Sequence, residues 1–320
     1  MKKTTIISAR VITLCLIAFL ISCTITQDRE SLSYNGSDQV NDFSVLVMAH
    51  GGSTAWSESV EDSLDQLRSL YPVEIAFGMA NAGSLEASVR KLESQGARHV
   101  GVVRLFVSGE SWYHRTLQIL GVEEGAPAKN EESQRAGNSR MSMGFWKIET
   151  DLAFHVSEEG LAEAEEMDEV LLSRVSGMSS NPSSEVVAVI AHGPADDDEN
   201  TRWIAKIGER TELLKRELKV SDIKVFTLRE DWEEKRADAE EQIRDFVQHA
   251  NVSGLDSIIV PFRVQGFGPY ADVLDGLNYR ADQLGLVPHE NVALWIKNQA
   301  EELREKAVEH RHQLAQMNTR

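Results

Sequence analysis

Cysteine is almost absent. The 320 residues hold two, Cys15 and Cys23, both near the start of the chain. Beyond them no disulfide framework, cysteine nucleophile or thiolate metal site is available. Long apolar runs are equally scarce. The one marked stretch, residues 11–21, is too short to cross a bilayer comfortably. Positive charge is in deficit, with 33 Lys and Arg against 51 Asp and Glu and a formal charge of −18. That balance argues against nucleic acid and against an anionic membrane surface as partners, and it weakly favours metal cations. A glycine-rich phosphate loop, a nucleophile elbow and a zinc-protease helix motif are all missing.

What the first residues do contain reads as targeting. Lys2, Lys3 and Arg10 form a positive region, residues 11–21 an apolar one, and the segment closes on Leu20-Ile21-Ser22-Cys23. This resembles a bacterial lipoprotein signal, with Cys23 as the lipidated N-terminus. Cleavage would remove Cys15 and three cations, taking the formal charge from −18 to −21. The expected organisation is a signal over residues 1–22 and a polar tether over residues 23–42. The protein is then expected outside the cytoplasm, lipid-anchored to a bacterial membrane, periplasm-facing or on the cell surface.

The rest is organised around one phrase. Val45-Leu46-Val47-Met48-Ala49 is a five-residue apolar run followed by His50-Gly51-Gly52-Ser53. Its length and lack of helical period predict a buried strand, and Ser53 is a candidate helix N-cap. A parallel strand that ends in histidine offers the imidazole at the carboxyl edge of a sheet, where open α/β sheets place ligands. The phrase returns as Val187-Ala188-Val189-Ile190-Ala191-His192-Gly193-Pro194. One design is used twice.

Strands and helices alternate around both copies. In the first, strands are predicted over 73–77, 100–107 and a fourth within 145–156. Helices are predicted over 56–70, 85–95 (capped by Gly83-Ser84), up to Leu120, and 158–175. Residues 123–142 are polar and aperiodic and read as a surface insertion. Five serines, Gly177 and Pro182 within 176–184 mark a linker. In the second copy strands are predicted over 186–191, 223–226, 257–262 and 292–296. Helices are predicted over 199–218, 232–250 and 270–284, with a long charged one at the end. The expected fold is α/β: two similar lobes, 43–176 and 186–320 around a linker at 177–185, each a four-stranded parallel sheet flanked by helices.

Val47 to Ser53 resembles the opening motif of the sirohydrochlorin cobalto- and ferrochelatases, the class II tetrapyrrole chelatases. Val102-Val103-Arg104-Leu105-Phe106-Val107-Ser108-Gly109, followed by His114, resembles that family's strand and loop ending in a second histidine, and residues 148–172 resemble its closing strand and helix. The resemblance extends over roughly residues 43–308. It implies a bilobal chelatase with the macrocycle held between the lobes. It further implies that His50 and His114 face each other across that cleft and bind the incoming divalent metal, Co2+ first, Fe2+ or Ni2+ next. Imidazole suits the task, because it ligates a borderline cation and accepts a proton near pH 7. Glu110 is the local candidate for relaying protons.

The chain departs from the family in three places. Arg104 stands where proline is usual. The loop from Phe106 to His114 is longer and carries Trp112 and Tyr113, which either stack on a tetrapyrrole or pack between the lobes. In the second copy Ala271 falls opposite His114, so a second histidine is missing there. His192 is then either vestigial or a contributor to the same cleft. His155 reads as structural or solvated, and His249, His289, His310 and His312 receive no role. The expected activity is metal insertion into sirohydrochlorin or a related tetrapyrrole. The competing reading is an extracytoplasmic metal- or tetrapyrrole-binding lipoprotein without turnover.

Overall fold

The computed structural model describes residues 42–130 and 143–317. The signal segment with Cys23, the tether before Asp42 and most of the second part of the polar insertion lie outside the described residues. The first half runs β1 (Phe43–Ala49), α1 (Thr54–Asp62), α2 (Asp65–Arg68), β2 (Val73–Phe77), α3 (Ala82–Ser94), β3 (His99–Leu105), α4 (Tyr113–Ile119), β4 (Ala153–Val156) and α5 (Glu166–Met178). The second runs β5 (Glu185–Ala191), α6 (Asp197–Arg210), α7 (Glu212–Leu218), β6 (Asp222–Thr227), α8 (Glu233–Val252), β7 (Asp256–Phe262), α9 (Tyr270–Val273) and α10 (Glu290–Met317).

Every strand pairing is parallel. The first sheet has the order β2-β1-β3-β4 and the second β6-β5-β7. β1 and β5 are central and buried along their whole length, which is why both read as unbroken apolar runs. Even-numbered residues of the first sheet, Leu46, Met48, Val100 and Val102, pack with Leu85, Val89 and Leu92 of α3. Helix starts are set by side chains: the Ser53 hydroxyl accepts from the Trp56 amide, and the Asp196 carboxylate from that of Glu199. α3 is capped by Asn81, one turn before the Leu85 start the glycine–serine pair suggested.

The two-lobed α/β architecture stands, but the second sheet has three strands. Residues 292–296 belong to α10. Val292, Trp295, Ile296, Gln299, Ala300, Leu303 and Ala307 are its buried stripe. Five residues sample barely more than one helical turn, too few to separate that stripe from a buried strand. Residues 145–148 form no strand either; Trp146 and Ile148 are buried in the first core. The helix predicted over 270–284 is the single turn of α9.

Each half completes the other. α5 packs on β7, α6 and α7, and Arg174 on it donates to the carbonyls of Gly285, Leu286 and Pro288. In return α10 packs across β1, β3 and β4.

Candidate functional site

In the first sheet the chain passes from β1 to β2 on one side and then crosses to β3 on the other. The carboxyl ends of β1 and β3 therefore flank a topological switch point, the usual ligand crevice of an open α/β sheet. His50 directly follows β1, and the segment from Phe106 to His114 follows β3.

His50 is exposed, and its Nδ1 lies 2.8 Å from the Gly51 carbonyl. A carbonyl can only accept, so Nδ1 carries a proton and the neutral ring has its lone pair on Nε2. His114 is also exposed, and its Nδ1 lies 2.9 Å from Glu123 Oε2. An ionised carboxylate likewise only accepts, so here too Nδ1 carries a proton and the neutral ring has its lone pair on Nε2. In the neutral form both histidines thus take the tautomer that a metal ligand needs, each fixed by an acceptor on the opposite nitrogen.

The carboxylate that meets His114 is Glu123 and not Glu110. Glu110 turns to the second half, where it accepts from Arg202 Nε and Nη2 at 2.9 and 2.6 Å, with Lys206 3.7 Å away. The Arg202 hydrogen bonds, against a smaller opposing effect of burial, hold the Glu110 carboxyl below its ordinary range. A carboxylate so held is a poor proton acceptor.

Arg104 explains the unusual loop. Its side chain is fully buried, and the guanidinium donates to the carbonyls of Gly109, Ser111 and Ser157. Burial pulls it down to about 10, partly offset by Tyr113, Glu163 and Glu158. The Tyr113 ring lies 4.7 Å from the guanidinium carbon, and Trp112 packs against the first core. Both aromatics are half-buried and anchor the loop from inside the first half. Gly109 is required on steric grounds, since a Cβ there would lie 2.1 Å from the Glu158 carbonyl oxygen.

The second half repeats much of this. His192 Nδ1 lies 2.8 Å from the Gly193 carbonyl, as at His50. Arg263 lies over Tyr270 at 5.8 Å, as Arg104 lies over Tyr113. The difference is at Nε2, which in His192 faces Asp231 at 3.2 Å and Glu230 at 4.0 Å. That imidazole is engaged by carboxylates.

A second group of histidines was not singled out by the sequence. His99, His155 and His310 each bring a ring nitrogen to within 4.8 Å of the others, the only such three-residue group of His, Cys, Asp or Glu among the described residues. It joins two strands and the last helix, a separation that no local motif signals.

No family profile and no curated protein matches the sequence. Solved structures do. SirB from Bacillus subtilis with Fe3+ superposes with a TM-score of 0.57 at 18% identity, covering 82% of this chain and 95% of that one. The sirohydrochlorin chelatase SirB from Bacillus subtilis subspecies spizizenii in complex with cobalt gives 0.52 at 16% identity, covering 82% and 96%. DR2241 from Deinococcus radiodurans, a multi-domain protein with structural similarity to chelatases, gives 0.50 at 14%, covering 81% and 54%. This chain has the two-lobed fold of the sirohydrochlorin chelatases.

Proposed function

We propose that this protein inserts a divalent metal ion into sirohydrochlorin or a related tetrapyrrole. The observation that carries the reading is that two exposed histidines, His50 directly after β1 and His114 in the first turn of α4 beyond β3, each have Nδ1 against an acceptor. The chain-wide likeness of fold to the two SirB structures supports it.

Insertion forms four bonds from ring nitrogen to metal and releases two pyrrole protons. His50 and His114 hold the arriving cation through Nε2 and, as it leaves, take up one proton each. Two ligands bind a borderline cation without completing its shell, so it can be handed on. Glu123 orients the His114 ring and stabilises the imidazolium that forms. Glu110 keeps the loop against α6. The ring rests on the exposed parts of Trp112 and Tyr113. His192, engaged by Asp231 and Glu230, borders the cleft and takes a minor part. Co2+ is the first candidate metal, Fe2+ or Ni2+ next.

The protein acts outside the cytoplasm, held by lipid on Cys23. Mass spectrometry of the mature N-terminus tests the anchor. The activity is tested by following the free-base absorbance of sirohydrochlorin with Co2+ under anaerobic conditions. The full chain is expected to clear it, and the His50→Ala/His114→Ala double variant is expected to leave it at the uncatalysed rate. Equal rates would reject the assignment.

A further inference from the structure

The three-histidine group lies at the far end of the first sheet. His99 opens β3 and Leu105 closes it, so the group is about 20 Å from the carboxyl edge at ~3.3 Å per residue. Register explains how it assembles. His99 pairs with Ala153 and Gly101 with His155, so both imidazoles stand on the same face as diagonal neighbours. Gly101 puts no side chain between them, and it also lets Leu303 of α10 approach, since a Cβ there would lie 3.1 Å from Leu303 Cβ. His310 comes two turns after Leu303 and one after the buried Ala307, on the same stripe of α10.

The geometry fits a cation. His99 Nδ1 and His155 Nε2 are 3.4 Å apart. Two nitrogens bound tetrahedrally at ~2.05 Å stand about 3.3–3.4 Å apart. The rings of His99 and His155 are stacked, 5.7 Å between centroids, and His310 meets each edge-on at 6.3 and 5.8 Å. His310 Nδ1 is buried without a hydrogen-bond partner. The neighbouring cations are themselves paired, Lys306 with Glu302 at 2.8 Å and Arg311 with Asp42 at 3.7 Å.

We infer that His99, His155 and His310 bind a resident borderline divalent cation, of the Zn2+ or Co2+ class, that clamps α10 to β3 and β4. Three neutral imidazoles and one open position are the ligand set such ions accept. The site is distinct from the substrate pair at the strand edge and does not depend on the chelatase reading.

Co2+ is the probe, added without any tetrapyrrole to the full chain and followed by its visible ligand-field bands. One equivalent with intense tetrahedral bands is expected in the wild type and in His50→Ala/His114→Ala. His155→Ala and His310→Ala are expected to lose the bands and to weaken binding at least ~100-fold, beyond the effect of removing a mere partner of a ligand. His310 is half-buried near the end of α10, beyond its last fully buried residue Ala307, so His310→Ala keeps the test valid if His155→Ala folds poorly by circular dichroism. Stoichiometric Zn2+ is also expected to raise the melting temperature of the wild type and not of His310→Ala. Absence of tetrahedral bands in the wild type, or bands unchanged in His310→Ala, overturns the site. Loss confined to His50→Ala/His114→Ala overturns it as well.

Discussion

Glu110 and Arg202 are joined across the two halves by a two-pronged ion pair, Nε and Nη2 standing 2.9 and 2.6 Å from the carboxylate oxygens. The pair ties the loop that carries His114 to α6 of the second half. Its carboxylate is committed to that task, while Glu123 holds the histidine itself.

Glu123→Gln and Glu110→Gln should therefore behave differently. Loss of the carboxylate behind His114 is expected to lower metal insertion roughly 10–100-fold, the usual effect of removing a partner of a metal-binding histidine. Glu110→Gln is expected to act mainly by loosening the loop, raising KM more than it lowers kcat. Steady-state kinetics separate the two, and a larger kcat loss in Glu110→Gln would restore Glu110 as the proton relay.

Arg104→Met would leave the carbonyls of Gly109, Ser111 and Ser157 without their donor. Unpaired buried acceptors are costly, and removing a buried guanidinium recovers part of that cost. The expected net loss is ~2–4 kcal/mol. That is a fall in melting temperature of about 3–7 °C for a chain of this size. Arg104→Lys should rescue only partly, because one ammonium cannot reproduce the planar fork. An unchanged melting temperature in Arg104→Met would show that the loop is held by other contacts.

Much of this was legible in the sequence, and the parts that were not share a cause. The strand-end histidines could be read because a buried parallel strand is a continuous apolar run and its end is marked by glycine. The duplication could be read because His50 and His192 sit in the same phrase. Arg104 was visible only as a departure from proline, since its purpose is to bond carbonyls five, seven and 53 residues away. Glu123 was hidden in a polar segment that reads as an insertion. The start of α10 was misread because five apolar residues carry too little phase to distinguish a stripe from a strand. The His99–His155–His310 group depends on sheet register and on helix α10 crossing to the other half, neither of which is a local property.

Stability should depend on acid through Glu185. Its carboxylate has no exposed surface and accepts from the backbone amides of Asn181 and Ser180, the Ser179 hydroxyl and Arg280. Burial alone would raise it, but these donors outweigh burial and hold it at about 2, against an ordinary 4.5. A depressed carboxyl stabilises the folded state above the unfolded value and stops doing so as pH falls through the folded one. The wild type should exceed Glu185→Gln by on the order of 3 kcal/mol at pH 7. The gap should shrink between about pH 4.5 and pH 2. Urea melts of both proteins across that range check it, and a gap that stays constant with pH would contradict the assignment.

The central claim is that the β1/β3 pair turns over and does not merely hold its cargo. The most direct measurement is stoichiometry: sirohydrochlorin and Co2+ in large excess over the full chain, with the metallated ring counted per protein. The account predicts conversion of the whole pool, near-complete loss in His50→Ala and in His114→Ala, and a much smaller effect of His192→Ala. Conversion that halts at one ring per chain would contradict it and make the protein a carrier.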